Sequence, residues 1–127
     1  MKSKPKILVV EDDPAIRILL ERTLEVEGYA VTVLSDGSEV EACLRESPVD
    51  LVLLDLMMPG LDGFDVLKQI RSDEKTHRLP VLILTALDDP RSTWKGWKSG
   101  CDYYITKPFD TEALLFVVRK LTAGAAA

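Results

Sequence analysis

Four short apolar runs recur along the chain, Lys6 to Val10, Leu51 to Leu54, Val81 to Leu84 and Tyr103 to Ile105. Each is too short for a helix and rich in Val, Ile, Leu or Tyr. Apolar character on both faces is the mark of central strands in a parallel sheet. A fifth run, Tyr29 to Leu34, alternates more and reads as a strand nearer an edge. The intervening segments have helical spacing. Asp13 can cap a first helix that opens at Pro14 and stops at Gly28, with Ile16, Leu19, Leu20 and Leu24 on one face. A second spans about Ser38 to Glu46, where Asp36-Gly37-Ser38-Glu39 has the residue types of a capping box and Pro48 follows the end. A third, about Gly63 to Arg71, aligns Phe64, Leu67 and Ile70. A fourth opens with Asp89-Pro90 and closes at Gly100, and a fifth begins after Asp110 and carries Leu114, Leu115, Val118 and Leu121. Strand and helix alternate about five times, which predicts a doubly wound α/β sheet with helices on both faces.

Composition narrows the class. The 127 residues suit one domain, 46% hydrophobic and 29% charged, whose core needs no disulfide or structural zinc. A net charge of −5 argues against direct nucleic acid binding by this domain. Cys43 and Cys101 show no CxxC spacing and read as reduced structural thiols. No apolar run approaches the roughly 20 residues of a membrane span. Met1 to Pro5 leads into the first strand without a signal-peptide core, so a cytoplasmic location and no membrane partner are expected. The sole histidine, His77, falls in a polar segment and reads as a surface loop residue. The tail Ala123 to Ala127 is low in complexity and reads as a linker stub or added residues.

Candidate chemistry comes from position. In open parallel sheets, ligands bind beyond the carboxyl ends of the strands. Glu11-Asp12-Asp13 follow the first run, Asp55 the third strand, Thr85-Ala86 the fourth and Thr106-Lys107-Pro108 the fifth. Singly, each has a plain role: Asp13 as a helix cap, Thr85 as a hydroxyl bonded to backbone, Lys107 as a solvated charge. Together they bring two acidic groups, a hydroxyl and a cation to one rim. Crowded carboxylates repel and lose solvation, and a divalent cation relieves both. All-oxygen donors suit Mg²⁺, which normally shares its sphere with a phosphate oxygen. A carboxylate nucleophile, a metal, a lysine and a hydroxyl are the equipment for phosphoryl transfer to an aspartate. No GxxxxGK[ST] occurs, and an acidic turn replaces the glycine-rich turn of a dinucleotide site.

Four stretches in order, ILVVEDD (Ile7 to Asp13), DLVLLDLMMPGLDG (Asp50 to Gly63), TA (Thr85, Ala86) and GCDYYITKPF (Gly100 to Phe109), resemble the receiver domain of bacterial two-component response regulators. The resemblance runs from about residue 5 to 122 and implies a receiver domain over 1–122, with 123–127 outside it. It implies a flavodoxin-like fold, with five parallel strands in order 2-1-3-4-5 and five helices. Asp55 then matches the phosphoryl acceptor from a histidine kinase or phosphotransfer protein. Asp12, Asp55 and the Met57 carbonyl match the Mg²⁺ ligands, with Glu11 acting partly through water and Mn²⁺ as a substitute. Lys107 matches the lysine that contacts acceptor and phosphoryl group, and Pro108 implies a cis bond before it. Thr85 is the switch hydroxyl, Ala86 a small neighbour that keeps the pocket open, and Tyr104 the switch aromatic. The implied output is a remodelled surface of fourth helix, fifth strand and fifth helix, read by an effector domain or protein, with homodimerisation on phosphorylation expected there.

Departures from the pattern carry expectations of their own. Trp94 and Trp97, three apart on the fourth helix, read as packing residues, Trp97 in the core and Trp94 at a partner contact. Cys101 reads as a small buried substitute for alanine. Met57 and Leu87 offer no group to orient water, which predicts slow self-dephosphorylation. Two other readings compete: a receiver fold signalling without phosphorylation, and an aspartyl-phosphate phosphohydrolase. The second would carry an acid two residues after the nucleophile, where this chain has Met57.

Overall fold

The computed structural model describes residues 4–58 and 62–124. The Met1 to Ser3 and Ala125 to Ala127 termini, and the Pro59-Gly60-Leu61 part of the second matching stretch, lie outside the described residues. Strand and helix alternate as β1 (Lys6–Val10), α1 (Pro14–Val26), β2 (Ala30–Leu34), α2 (Val40–Glu46), β3 (Leu51–Leu54), α3 (Gly63–Ser72), β4 (Val81–Thr85), α4 (Pro90–Lys98), β5 (Tyr103–Thr106) and α5 (Thr111–Thr122). All pairings are parallel and the strand order is β2-β1-β3-β4-β5.

Alternation along the strands divides the core in two. Leu8, Val10, Val52, Leu54, Val81 and Ile83 face one way and meet Val66, Leu67 and Ile70 of α3 and Leu44 of α2. Ile7, Val9, Leu51, Leu53, Leu82 and Leu84 face the other way and meet Leu20 and Leu24 of α1 and Leu114 and Val118 of α5. Each such fully buried side chain contributes roughly 1.5–3 kcal/mol. The sheet is therefore sealed on both faces, and polar strand-end groups are displayed only at its rim.

Several boundaries differ from expectation. The first helix ends at Val26, because Gly28 sits at φ +96° as the left-handed residue just beyond it and its N–H donates to Glu25 O. Asp36 accepts from Ser38 N, but Gly37–Glu39 is a 3-10 turn, and Glu39, the cap of α2, makes no side-chain capping bond. Leu19 is 46% exposed, since α1 turns Leu20 and Leu24 to the sheet instead. The Tyr103 run forms the edge strand β5, not a central one, and only Tyr104 of it is buried.

Candidate functional site

Ladder hydrogen bonds continue one residue past the strands and fix what stands at the rim. Glu11 N–H donates to Leu34 O (3.0 Å), Asp55 N–H to Val10 O (3.1 Å) and Lys107 N–H to Thr85 O (2.8 Å). The side chains of Glu11, Asp55 and Lys107 thereby converge, and Lys107 Nζ donates to Glu11 Oε1 (2.7 Å) and Asp55 Oδ2 (3.0 Å). Both carboxylates are buried. Carboxylate oxygens of Glu11, Asp12 and Asp55 all lie within 4.8 Å of one another. The sequence-predicted acidic group and its lysine thus meet in space.

The remaining bonds differentiate the three acids. Asp13 N–H takes the second oxygen of Glu11 (3.1 Å), and Met57 N–H takes Asp55 Oδ1 (3.0 Å). No hydrogen-bond donor among the described residues reaches the Asp12 carboxylate, which is half-buried. Burial pushes the Glu11 carboxyl above its usual range, against the lowering effects of Lys107 and the Asp13 N–H, and the Asp55 charge adds to the rise. Burial opposes the charge on Lys107, but its bonds to Glu11 and Asp55 outweigh it and hold the amine above the ordinary lysine value.

Three carboxylates share one lysine, so the cluster is short of positive charge. The donor set is all oxygen, with one carboxylate unpaired, and it fits a hard divalent cation such as Mg²⁺. Asp13 takes the plain role, with Oδ1 accepting from Ala15 N (2.9 Å) as the cap of α1.

Thr85 ends β4 fully buried, and Ala86 beside it is exposed. Leu87 N–H donates to Thr85 Oγ1 (3.4 Å), while Leu87 O accepts from the Tyr104 hydroxyl (2.6 Å). Leu87 therefore bridges Thr85 and Tyr104 through its own N–H and carbonyl. Tyr104 is buried, and burial pushes its phenol up to about 12. The Lys107–Pro108 bond is cis.

Three supporting residues escaped sequence reasoning. Arg17 Nη1 donates to the carbonyls of Glu11 (2.9 Å) and Asp12 (3.4 Å), bracing the acidic turn from α1. A Cβ on Gly63 would stand 2.5 Å from Leu56 Cα and 2.6 Å from Asp55 O, so only glycine lets α3 start against the backbone of Asp55. Arg71 donates to Leu79 O (2.6 Å), Gly100 O (2.8 Å) and Asp102 Oδ2 (2.9 Å), clasping α3 to the start of β4 and the turn into β5. An arginine five residues after an acidic pair is the only signal that the first of these left in the sequence.

The expectation that Trp97 lies in the core is overturned. Trp94 is 62% and Trp97 46% exposed, because α4 approaches the sheet through Gly96, its only fully buried residue. Trp97 stacks edge-on against exposed Tyr103 at 5.8 Å, and Lys98 Nζ lies 4.6 Å from the Trp94 ring. With Phe116 of α5, they give the α4, β5 and α5 surface its exposed aromatic groups. Cys101 is buried as expected, and His77 is exposed.

The family model of the response regulator receiver domain matches residues 7–119. The chain is 46% identical over 117 residues to the DNA-binding dual master transcriptional regulator RpaA of Synechocystis, covering 92% of this chain and 48% of that one. It is 39% identical over 117 residues to the phosphate regulon transcriptional regulatory protein PhoB of Rhizobium meliloti, covering 92% and 52%. The chain thus spans about half the length of these relatives. Among solved structures, a Francisella response regulator receiver domain superposes with TM-score 0.88 at 37% identity, covering 96% and 99% of the two chains. The receiver domain of a Pseudomonas aeruginosa sensor histidine kinase, described with a magnesium ion coordinated in its active-site cleft, superposes with TM-score 0.87 at 29% identity, covering 95% and 99%.

Proposed function

Because the chain belongs to the response regulator receiver family, we propose that Asp55 accepts a phosphoryl group from the phosphohistidine of a sensor kinase or phosphotransfer protein in the cytoplasm. The observation that carries this reading is the Lys107 ammonium shared between Glu11 and Asp55. An Asp55 oxygen attacks phosphorus in line, the phosphorus–nitrogen bond breaks, and its electron pair leaves with the imidazole. Lys107 holds the carboxylate beforehand and can follow the charge onto the phosphoryl oxygens afterwards. Asp12, Asp55 and the Met57 carbonyl would hold Mg²⁺, with Mn²⁺ able to replace it. Glu11, both of whose oxygens are already engaged, would reach the ion through water. Bound Mg²⁺ supplies charge neutralisation to the transferring group.

The same reading assigns the output. In the phosphorylated state the Thr85 hydroxyl turns to the phosphoryl oxygens, and the Leu87 peptide moves with it because Leu87 bonds to both Thr85 and Tyr104. Tyr104 then favours its buried position, and the exposed aromatic surface of α4, β5 and α5 is presented to an effector domain, an effector protein or a second copy. This is a population shift set by contacts that differ between the two states. Residues 1–122 form the receiver unit in this account. The chain acts as a signalling acceptor that takes its own phosphoryl group and loses it slowly.

Borohydride reduction tests the acceptor directly, since it converts an aspartyl phosphate to homoserine. After reaction with phosphoramidate and Mg²⁺, peptide mapping is expected to find homoserine at position 55. Homoserine elsewhere, or stable phosphate on a hydroxyl side chain, refutes the assignment.

A further inference from the structure

We propose that Gly96 is a positioning residue of the switch, whose missing side chain admits the Tyr104 ring to its buried place. This rests on the switch reading of Tyr104 above. Glycine in a helix interior is a poor choice on propensity alone. Gly96 does not need it for backbone reasons, since it lies inside α4 and, among the described residues, the positive-φ glycines are Gly28 and Gly100. Space is the reason instead. A Cβ built on Gly96 would stand 2.8 Å from Tyr104 Cδ2, 3.0 Å from Tyr104 Cε2 and 3.3 Å from Ile83 Cδ1. The first is closer than a real Cβ comes to another carbon, and the other two are tighter than most such contacts.

The surroundings decide which group yields. Ile83 is on β4, fully buried between β3 and β5, and at 3.3 Å it is the group that needs to yield least. Local bonds close both ends of the helix, with Ser92 N–H donating to Asp89 Oδ2 (3.0 Å) and Cys101 N–H donating to Gly96 O itself (3.2 Å). Tyr104 stands on the edge strand β5, with no further strand beside it to hold its ring in place. A methyl group at 96 therefore drives Tyr104 outward and breaks its bond to Leu87 O, the step that joins it to Thr85. Linkage makes the effect reciprocal: whatever disfavours buried Tyr104 also weakens the response to a phosphoryl group at Asp55. Gly96 thus sets how much of the signal reaches the output surface, without touching the reacting atoms.

Two measurements test this. In protein labelled with 3-fluorotyrosine, with the Tyr104 resonance assigned by Tyr104→Phe, beryllofluoride and Mg²⁺ should shift that resonance in the wild type. Gly96→Ala should abolish or sharply reduce the shift while Asp55 still takes the phosphoryl group from phosphoramidate. If the wild-type resonance does not respond, the switch reading itself fails. If it responds equally in Gly96→Ala, the role of Gly96 is overturned while the switch stands. Second, Gly96→Ala should lower the melting temperature of the wild type but raise it in a Tyr104→Ala background, where only helix propensity remains. An increase in both backgrounds overturns the proposal, and a wild-type-background variant too unstable to purify that is rescued by Tyr104→Ala supports it.

Discussion

Asp12→Asn should make the protein more stable without divalent cations and deprive it of the stabilisation that they bring. Carboxylate oxygens of Glu11, Asp12 and Asp55 lie within 4.8 Å of one another. At an effective dielectric of about 20, each like-charge pair at that distance repels by roughly 3 kcal/mol. Lys107 makes its hydrogen bonds to Glu11 and Asp55, so Asp12 meets two repulsions without a bonded counter-charge. Partial exposure of Asp12 and the field of Lys107 return much of that, which leaves a net gain of about 1–2 kcal/mol for the neutral amide. Urea denaturation in EDTA should show a higher midpoint at unchanged slope, equivalent to about 3–8 °C in melting temperature for a chain of this size. Mg²⁺ at a hundred times its dissociation constant should then stabilise the wild type by about 2.7 kcal/mol and the variant by little, reversing their order. A variant less stable than wild type in EDTA, or one that keeps the Mg²⁺ gain, would refute the reasoning.

Other consequences follow from single contacts. Arg71→Ala should cost about 2–4 kcal/mol in chemical denaturation, because the carbonyls of Leu79 and Gly100 and the Asp102 carboxylate lose a charged donor at once; a loss under about 0.5 kcal/mol would show that the clasp is idle. Burial, with the Asp102 charge adding to it, pushes the Cys101 thiol up to about 11. Its alkylation should therefore rise about tenfold per pH unit through pH 10, and a plateau near pH 9 contradicts this. Exposed Met57, two residues after the acceptor, and Leu87 carry no group to orient water. The phosphorylated protein should accordingly persist for minutes or longer, Met57→Asn should shorten that time, and a wild-type half-life of seconds would count against the account.

How much of this was legible in the sequence depended on whether a residue's role was set by its own strand or by a distant one. The doubly buried runs and the acidic, hydroxyl and cationic groups at their ends could be read directly, because strand ends in a parallel sheet share one rim. Edge position could not be read from the Tyr103 run alone, since Tyr103 is apolar whether it faces a helix or solvent. Trp94 and Trp97 misled for a related reason: helical spacing shows that two residues share a face, not which face meets the sheet. Gly96 settled that, and its meaning became clear only beside the Tyr104 ring. The bonds of Arg71 across 29 and 31 residues likewise leave no local pattern to find.

The central claim is that Asp55 takes a phosphoryl group in a metal-dependent reaction, and intact-mass spectrometry after incubation with acetyl phosphate and Mg²⁺ tests it most directly. The account predicts one added phosphoryl group on the wild type, lost in EDTA and absent from Asp55→Asn. An adduct that persists on Asp55→Asn, or one formed equally well in EDTA, would contradict it.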